Sequence, residues 1–413
     1  PDIKRWQLGT YEQLQMIQDS MQARCNVEMA LQIGFHNGSS SLPAHYDRII
    51  TWQENVIFRM GNDGYTIVKG PEAVFKAKLN SLTEGDVLDY SSLDRTFDKY
   101  EEKERGITGS DIYTRQLELI VHRVTCVEDA AELFGLTKLS GHPTVYAAKS
   151  MGSVQKEAIP RGTISPFAIR QTERMFKHIT ISNYLRAENG MWPPLVCEPA
   201  EGTTLSRLYT LRVSDLRLGE YPLSDLDAIV FGKFIEYDYS EDYLKFLDDK
   251  AICPGATEMS KFWFGGHQTE SRRLLQKILT TKELDTKAIV NRLAQGRFYE
   301  DELVIELTQK EREFKPEARC FAKLPLKIRL FLIFNDYNLK EKYMKLYMPQ
   351  LTMSMSNAEE KNRLYSMVRD TSQGKTVRLE GDLSRWNLVM RKKILEPIGR
   401  CLGDIYGMGG CFL

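Results

Sequence analysis

Residues 310–329 read KEREFKPEARCFAKLPLKIR, and residues 381–387 read GDLSRWN. The first block is a basic comb. Lys310, Arg312, Lys315, Arg319, Lys323, Lys327 and Arg329 stand against Glu311, Glu313 and Glu317, a local charge of +4. The second block presents one carboxylate, Asp382, followed five positions later by the amide of Asn387. Arginine grips phosphate oxygens bidentately and lysine supplies a compact charge. A hard divalent cation that bridges substrate phosphates takes only one or two carboxylates from protein. Cations ahead of such a carboxylate are what nucleotidyl transfer requires, because two-metal transfer clamps both the attacking and the leaving oxygens.

Each block also has a plainer reading. VRLEGDLSRW, residues 377–386, reads as a short strand ending in Asp382, yet a lone Asp after Gly is commonly a turn residue. Asn387 can meet a ribose hydroxyl or cap the first turn of a helix. Trp386 fits packing better than stacking. Lys315, Arg319, Lys323 and Lys327 recur every four residues, as on one face of a surface helix edged with Glu/Lys pairs. Pro316 is tolerable near a helix start, but Pro325 opposes an unbroken helix through 327. The comb is therefore either a solvated helix face or a phosphate clamp.

A chain of 413 residues is long enough for two or three domains with cores of their own. Its 42% hydrophobic and 27% charged content is ordinary for a globular protein. Lys and Arg number 56, as do Asp and Glu, so any site for a polyanion must be local. There is no apolar run of eighteen residues, and no membrane contact is expected. The opening PDIKRWQLGT lacks a signal-peptide core, and a start at Pro1 suggests a segment of something longer. Seven scattered cysteines without a CxxC pair suggest reduced thiols, and no His/Cys cluster has zinc spacing.

Along the chain, 10–32 reads as a helix with Leu14, Ile17, Met21 and Val27 on a loose stripe. Residues 54–69 read as a hairpin about Asp63-Gly64, and Pro71 starts a helix. DKYEEKER, 98–105, reads as a solvated helix face or surface loop. Residues 112–136 carry an amphipathic helical pattern ending near Gly135. GMWPP at 190–194 and RLGEYP at 217–222 are breakers. Helices are expected at 271–280 and 286–295, after Pro325, and past Asp382 before a glycine-rich end. Three further features are set aside. Gly374-Lys375-Thr376 lacks the earlier glycine of a Walker A loop, since Arg369 occupies that place. Gly85-Asp86 and Gly403-Asp404 read as turns. The acidic group Glu241, Asp242, Asp248 and Asp249 reads as a solvated helix.

Taken in order, these blocks resemble the large (L) polymerase protein of nonsegmented negative-strand RNA viruses, its rhabdovirus-like branch most closely. Gly141-His142-Pro143 is similar to the family's GHP block, and Trp192-Pro193-Pro194 to its WPP segment. KEREFKPEARCF at 310–321 resembles the fingers motif F, and Leu351-Thr352-Met353 the LTM that follows it. DLSRWN with Arg391 resembles motif A. The resemblance covers most of the chain from about residue 50 onward.

The resemblance implies an RNA-directed RNA polymerase of right-hand fold, helix-rich and α+β. Residues 1–135 would be the N-terminal polymerase region, 136–378 the fingers with motif F at 310–329, and 379–413 the start of the palm. Asp382 would bind catalytic Mg2+ or Mn2+, with the second metal ligand outside this chain. Lys315 and Arg319 would face the triphosphate, Asn387 the ribose, and Lys310, Arg312, Lys323 and Lys327 would support the loop or the RNA. Glu311 and Glu313 would fix those basic side chains. Partners would be template RNA, NTPs, a viral phosphoprotein and nucleoprotein–RNA, in the virion and the host-cell cytoplasm, or the nucleus in some branches. The family's motif B and the Gly-Asp-Asn-Gln turn of motif C do not occur among these residues, so the chain alone is expected to be inactive. The alternative is a non-catalytic, virus-derived interaction protein encoded in a host genome, binding RNA, phosphoprotein or L.

Overall fold

Apolar positions in this chain recur mostly every three to four residues, and helix dominates accordingly. The computed structural model describes residues 10–36, 41–83, 91–159, 162–239, 251–257, 260, 273–281, 284–310, 314, 317–349, 351–372 and 391–412. By packing the chain divides into two units, residues 1–154 with 309–321, and residues 155–308 with 322–413.

In the first unit the described helices are α1 Tyr11–His36, α2 Leu42–Met60, α3 Tyr65–Val68, α4 Gly70–Thr83, α5 Ser91–Thr108, α6 Ile112–His122 and α7 Val127–Phe134, with α8 Ala147–Ala158 running on into the second unit. Ile49, Val56, Val68, Val74, Phe75, Val121 and Leu133 are wholly buried and make one core. Pro71 lies in the first turn of α4, as its missing N–H favours.

Residues 54–69 are not a hairpin. They are the end of α2, a 3-10 turn at Gly61–Gly64, and α3. The alternation in NVIFRM is short, whereas Tyr46, Ile49, Gln53 and Val56 form a buried stripe at helical spacing that begins well before it. Asn62, expected in the hairpin turn, instead binds the segment after Gly141. Its Oδ1 accepts from Thr144 N at 2.7 Å, and its Nδ2 donates to Thr144 O at 2.9 Å. Gly141 itself has φ +80°, a region that favours glycine.

The helix expected at 10–32 is present, but Leu14, Ile17 and Met21 are exposed, and Val27 alone of that stripe packs beside Tyr46, Ile50 and Leu139. The charge run 98–105 is helical within α5, yet it is not wholly solvated. Glu104 is fully buried. Its carboxylate accepts from Tyr113 N at 2.9 Å, Thr114 N at 2.7 Å and Thr114 Oγ1 at 2.7 Å. An anion there satisfies N–H groups that the first turn of α6 leaves unbonded. Residues 112–136 form two helices rather than one. Val124 is buried between them, and the Cys126 thiol accepts from Asp129 N at 3.4 Å to start α7.

The second unit is organised around α9, Pro166–Ala187. Its further elements are β1 Leu195–Cys197, α10 Thr204–Thr210, β2 Val230–Phe231, α11 Leu274–Thr280, α12 Thr286–Ala294, α13 Leu326–Tyr337, α14 Lys345–Tyr347, α15 Asn357–Ser372 and α16 Lys392–Tyr406. β1 and β2 pair antiparallel. The WPP segment enters this pair. Trp192 is buried and donates from Nε1 to Val213 O at 3.2 Å, and Pro194 O accepts from Gly232 N at 2.7 Å.

Helix does begin after Pro325, and a π-helical stretch Asn338–Met344 carries α13 on into α14. Asn335 in α13 and Asn338 at the start of that stretch hold a buried polar network. Tyr237 donates to Asn335 Oδ1 at 2.6 Å, Asn335 Nδ2 donates to Cys411 O at 2.6 Å, and Tyr406 donates to Asn338 O at 2.7 Å. Gly403-Asp404 lies inside α16 rather than in a turn, because Cys401, Leu402, Ile405 and Tyr406 bury one side of that helix. The turn comes at Gly407, left-handed with φ +65°, where the glycine-rich end begins. Residues 85–86, 241–242, 248–249 and 374–376 lie outside the described residues.

Two further strands, β3 Glu306–Gln309 and β4 Cys320–Lys323, form a two-stranded sheet, and the chain crosses between the units along them. The seven cysteines are free thiols. Among the described residues no helix is long and apolar enough to cross a membrane.

Candidate functional site

The basic block 310–329 is not one helix face: it follows β3, and its described residues include β4 and the start of α13. Lys323 lies in β4, Lys327 in α13, and Lys310 and Arg319 flank the loop. The four-residue recurrence therefore has no helical meaning. Pro325, with φ −58° and ψ 154°, separates strand from helix.

Lys310 N donates to Arg319 O at 2.8 Å and closes the neck of the loop. Both side chains are exposed there. Within the loop, Phe314 points into the helical core of the first unit. It is 8% exposed and packs in the cluster of Val68, Val74 and Phe75, its ring 6.0 Å from that of Tyr65. Ala318 is buried beside the neck. Glu317 pairs with Lys149 at 2.6 Å and holds that exposed ammonium above its usual range. Phe314 thus anchors the segment between Lys310 and Arg319 in that core.

The later cations of the comb meet carboxylates. Lys323 lies 3.4 Å from Glu306. Lys327 lies 3.6 Å from Glu302, with its ammonium 5.4 Å from the centre of the Tyr299 ring. Glu302 is buried and takes a second cation, Arg292, whose Nη1 donates to Oε2 at 2.8 Å. Burial alone would raise the Glu302 carboxyl. Arg292, the Tyr299 N–H and Lys327 outweigh it and keep the group below the ordinary glutamate range. Arg329 is partly buried, which lowers its pKa from the usual arginine value, and its Nη2 donates to Ala322 O at 3.4 Å.

Lys310, Arg319, Lys323 and Lys327 are therefore brought onto one hairpin and the helix that follows it. Arg312 and Lys315 lie outside the described residues, as do Glu311 and Glu313. Asp382, Trp386 and Asn387 also lie outside them. Arg391 stands immediately before α16. Among the described residues no cluster of three or more His, Cys, Asp or Glu could hold a metal ion. The sequence reading missed Phe314 as an anchor and Glu302 as the partner of Lys327. The signal for Phe314 was present, since it is the one apolar residue within KEREFKPE.

Fold and site together define a helix-rich α+β protein in which Lys310 and Arg319 are exposed at the end of a two-stranded sheet. A sequence profile of the family Mononegavirales RNA dependent RNA polymerase matches residues 2–413. The RNA-directed RNA polymerase L of Rice yellow stunt virus is 26% identical over 408 residues, 95% of this chain and 20% of the viral protein. The corresponding protein of Taro vein chlorosis virus is 25% identical over 378 residues, 89% of this chain and 19% of its own length. That of Human parainfluenza 2 virus is 25% identical over 452 aligned residues, 98% of this chain and 19% of its own length. The chain belongs to the Mononegavirales RNA dependent RNA polymerase family. It spans about a fifth of the length of these curated relatives.

Proposed function

We propose that this chain is the part of a viral RNA-directed RNA polymerase that runs from the N-terminal region through motif A. The observation that carries the reading is the close approach of Lys310 and Arg319, with Phe314 between them in sequence and buried, in a chain that matches the family from residue 2 to 413. In this reading residues 1–135 are the N-terminal region, 136–378 the fingers of a right-hand polymerase, and 379–413 the start of the palm. Lys315 and Arg319 meet the triphosphate of the incoming nucleotide, and Asn387 its ribose. Lys310 and Arg312 sit at the loop or the template entrance. Lys323 and Lys327 keep the hairpin in place through Glu306 and Glu302.

Asp382 is the residue of this chain that would hold Mg2+ or Mn2+, and a bound metal would supply charge stabilisation to nucleotidyl transfer. Its support is the pattern Asp382, Trp386, Asn387 and Arg391 together with family membership. The ligands are template RNA and NTPs. The partners are a viral phosphoprotein and nucleoprotein–RNA, in the virion and the host-cell cytoplasm. These 413 residues hold one metal carboxylate of the two, so the chain by itself does not extend a primer. Primer extension with purified chain, NTPs and Mg2+ or Mn2+ tests this. Template-dependent product that Asp382→Ala abolishes would overturn the inactivity. In an intact polymerase carrying this segment, full activity of Asp382→Asn would overturn the assignment of motif A.

A further inference from the structure

A second cationic feature lies in the first unit. Helices α4 and α5 and the start of α7's C-terminal turn border a cavity of about 460 Å3. Among the described residues, Lys69, Lys76, Lys99 and Lys103 line it with one carboxylate, Glu72, a local charge of +3. The floor is aromatic, formed by Tyr100 and Phe314, which are 6% and 8% exposed, and Phe134 stands at the edge, 39% exposed. The Lys103 ammonium lies 4.5 Å from the centre of the Tyr100 ring. Among the described residues, Lys69, Lys76 and Lys99 make no ion pair.

Elsewhere on this protein lysines are commonly balanced. Lys149, Lys177, Lys233, Lys323, Lys327, Lys340, Lys342 and Lys345 each lie within ion-pair distance of a carboxylate. With zero net charge on the whole chain, Lys69, Lys76 and Lys99 around one cavity form a local concentration of positive potential. Like charges so placed repel one another, and an anion relieves that repulsion. Aromatic walls beside cations suit a ligand that carries both phosphates and a planar base, as in single-strand binding sites.

We infer that this cavity binds nucleotide phosphates, either along a single strand of RNA or in a free nucleotide. The inference does not need Asp382 or the comb's cations. Among the described residues it shares Phe314 alone with the segment 310–319, and that side chain floors the cavity.

The test uses the full 413-residue chain. A fluorescein-labelled uridylate 12-mer and ATP are titrated by anisotropy and calorimetry against wild type, Lys76→Ala/Lys99→Ala/Lys103→Ala, and the matching triple Arg variant. Removal of the three lysines should weaken the ligand that uses the site by about 10- to 100-fold at low salt, the sum of three exposed charge contacts. If that ligand is the strand, the log–log salt slope should fall in magnitude by about 2, roughly 0.7 per lost contact. The triple Arg variant should bind like wild type. Loss for the oligomer alone assigns a strand, and loss for ATP alone assigns a free nucleotide. Unchanged affinity for both in a folded triple Ala variant overturns the inference.

Acetylation footprinting of wild-type chain gives a reading that needs no variant. RNA or ATP should protect Lys76 and Lys99 relative to the exposed Lys345. No protection by either overturns the inference as well. A parallel Arg319→Ala/Lys310→Ala variant separates this inference from the polymerase reading. RNA affinity lost there, with both RNA and ATP affinity retained in the lysine triple, would refute the cavity and leave the motif F assignment standing.

Discussion

Replacing Phe314 by Ala should release the basic loop without unfolding the unit that holds it. An aromatic side chain buries roughly 150–250 Å2. At about 25 cal/mol per Å2, with roughly 10–40% removed because an undocked chain retains some burial, a central value is about 3–4 kcal/mol. That agrees with the roughly 3–5 kcal/mol found for Phe→Ala in cores. At about 1.4 kcal/mol per tenfold, the docked state of the loop should weaken by roughly 100- to 1000-fold. The reporter is the Lys310 amide, which donates to Arg319 O at 2.8 Å across the neck. Its hydrogen exchange should accelerate towards that factor, up to the limit set by the free amide. Phe314→Leu, which keeps most of the volume, should cost under about 1.5 kcal/mol and exchange nearly as wild type. Phe75→Ala is the control. Phe75 is fully buried in the same cluster but lies outside the loop, so its loss should lower the melting temperature without a selective effect at Lys310. Wild-type protection of the Lys310 amide in a folded Phe314→Ala protein would refute the tether.

Glu104→Gln should destabilise the first unit by about 2–4 kcal/mol, because buried N–H donors of α6 lose a charge-assisted acceptor and face an amide that can turn its own donors towards them; a urea midpoint within error of wild type would sink this. Burial lowers the pKa of His178 below 6.5, with Arg186 adding to the effect and Glu220 opposing it. The unfolded chain then takes up the proton first, so stability contributed by neutral His178 is present above about pH 6.5 and lost below it. Urea unfolding at pH 7.5 and 5.5 should show that fall, and His178→Gln should shrink it; an equal fall in the variant would exclude His178 as a source. In an intact polymerase, Arg319→Ala should weaken nucleotide use by roughly 1.5–3 kcal/mol, seen as a raised KM for NTPs, and an unchanged KM would remove Arg319 from the nucleotide site.

Local signals were legible where one physical cause acts over a few residues. Pro71 and Pro325 marked helix starts because proline lacks an N–H and has a fixed φ. The two short helices α11 and α12 followed from apolar periodicity, and the zero net charge required any polyanion site to be local. The ordered blocks from Gly141 to Arg391 carried the family, which the profile match then showed over residues 2–413. Packing decided the rest. The alternation at 54–60 gave way to the longer buried stripe of α2, since a helix gains from every turn that meets a core. Glu104 looked like any member of a solvated charge run until the unbonded N–H groups of α6 were set against it. The comb suggested a helix because its spacing was four, but spacing alone cannot distinguish a helix from a hairpin that carries two of those cations on a strand and a following helix. Phe314 could be read from the sequence as apolar. That it enters a core built from residues more than 180 positions earlier depends on contacts that only the folded chain brings together.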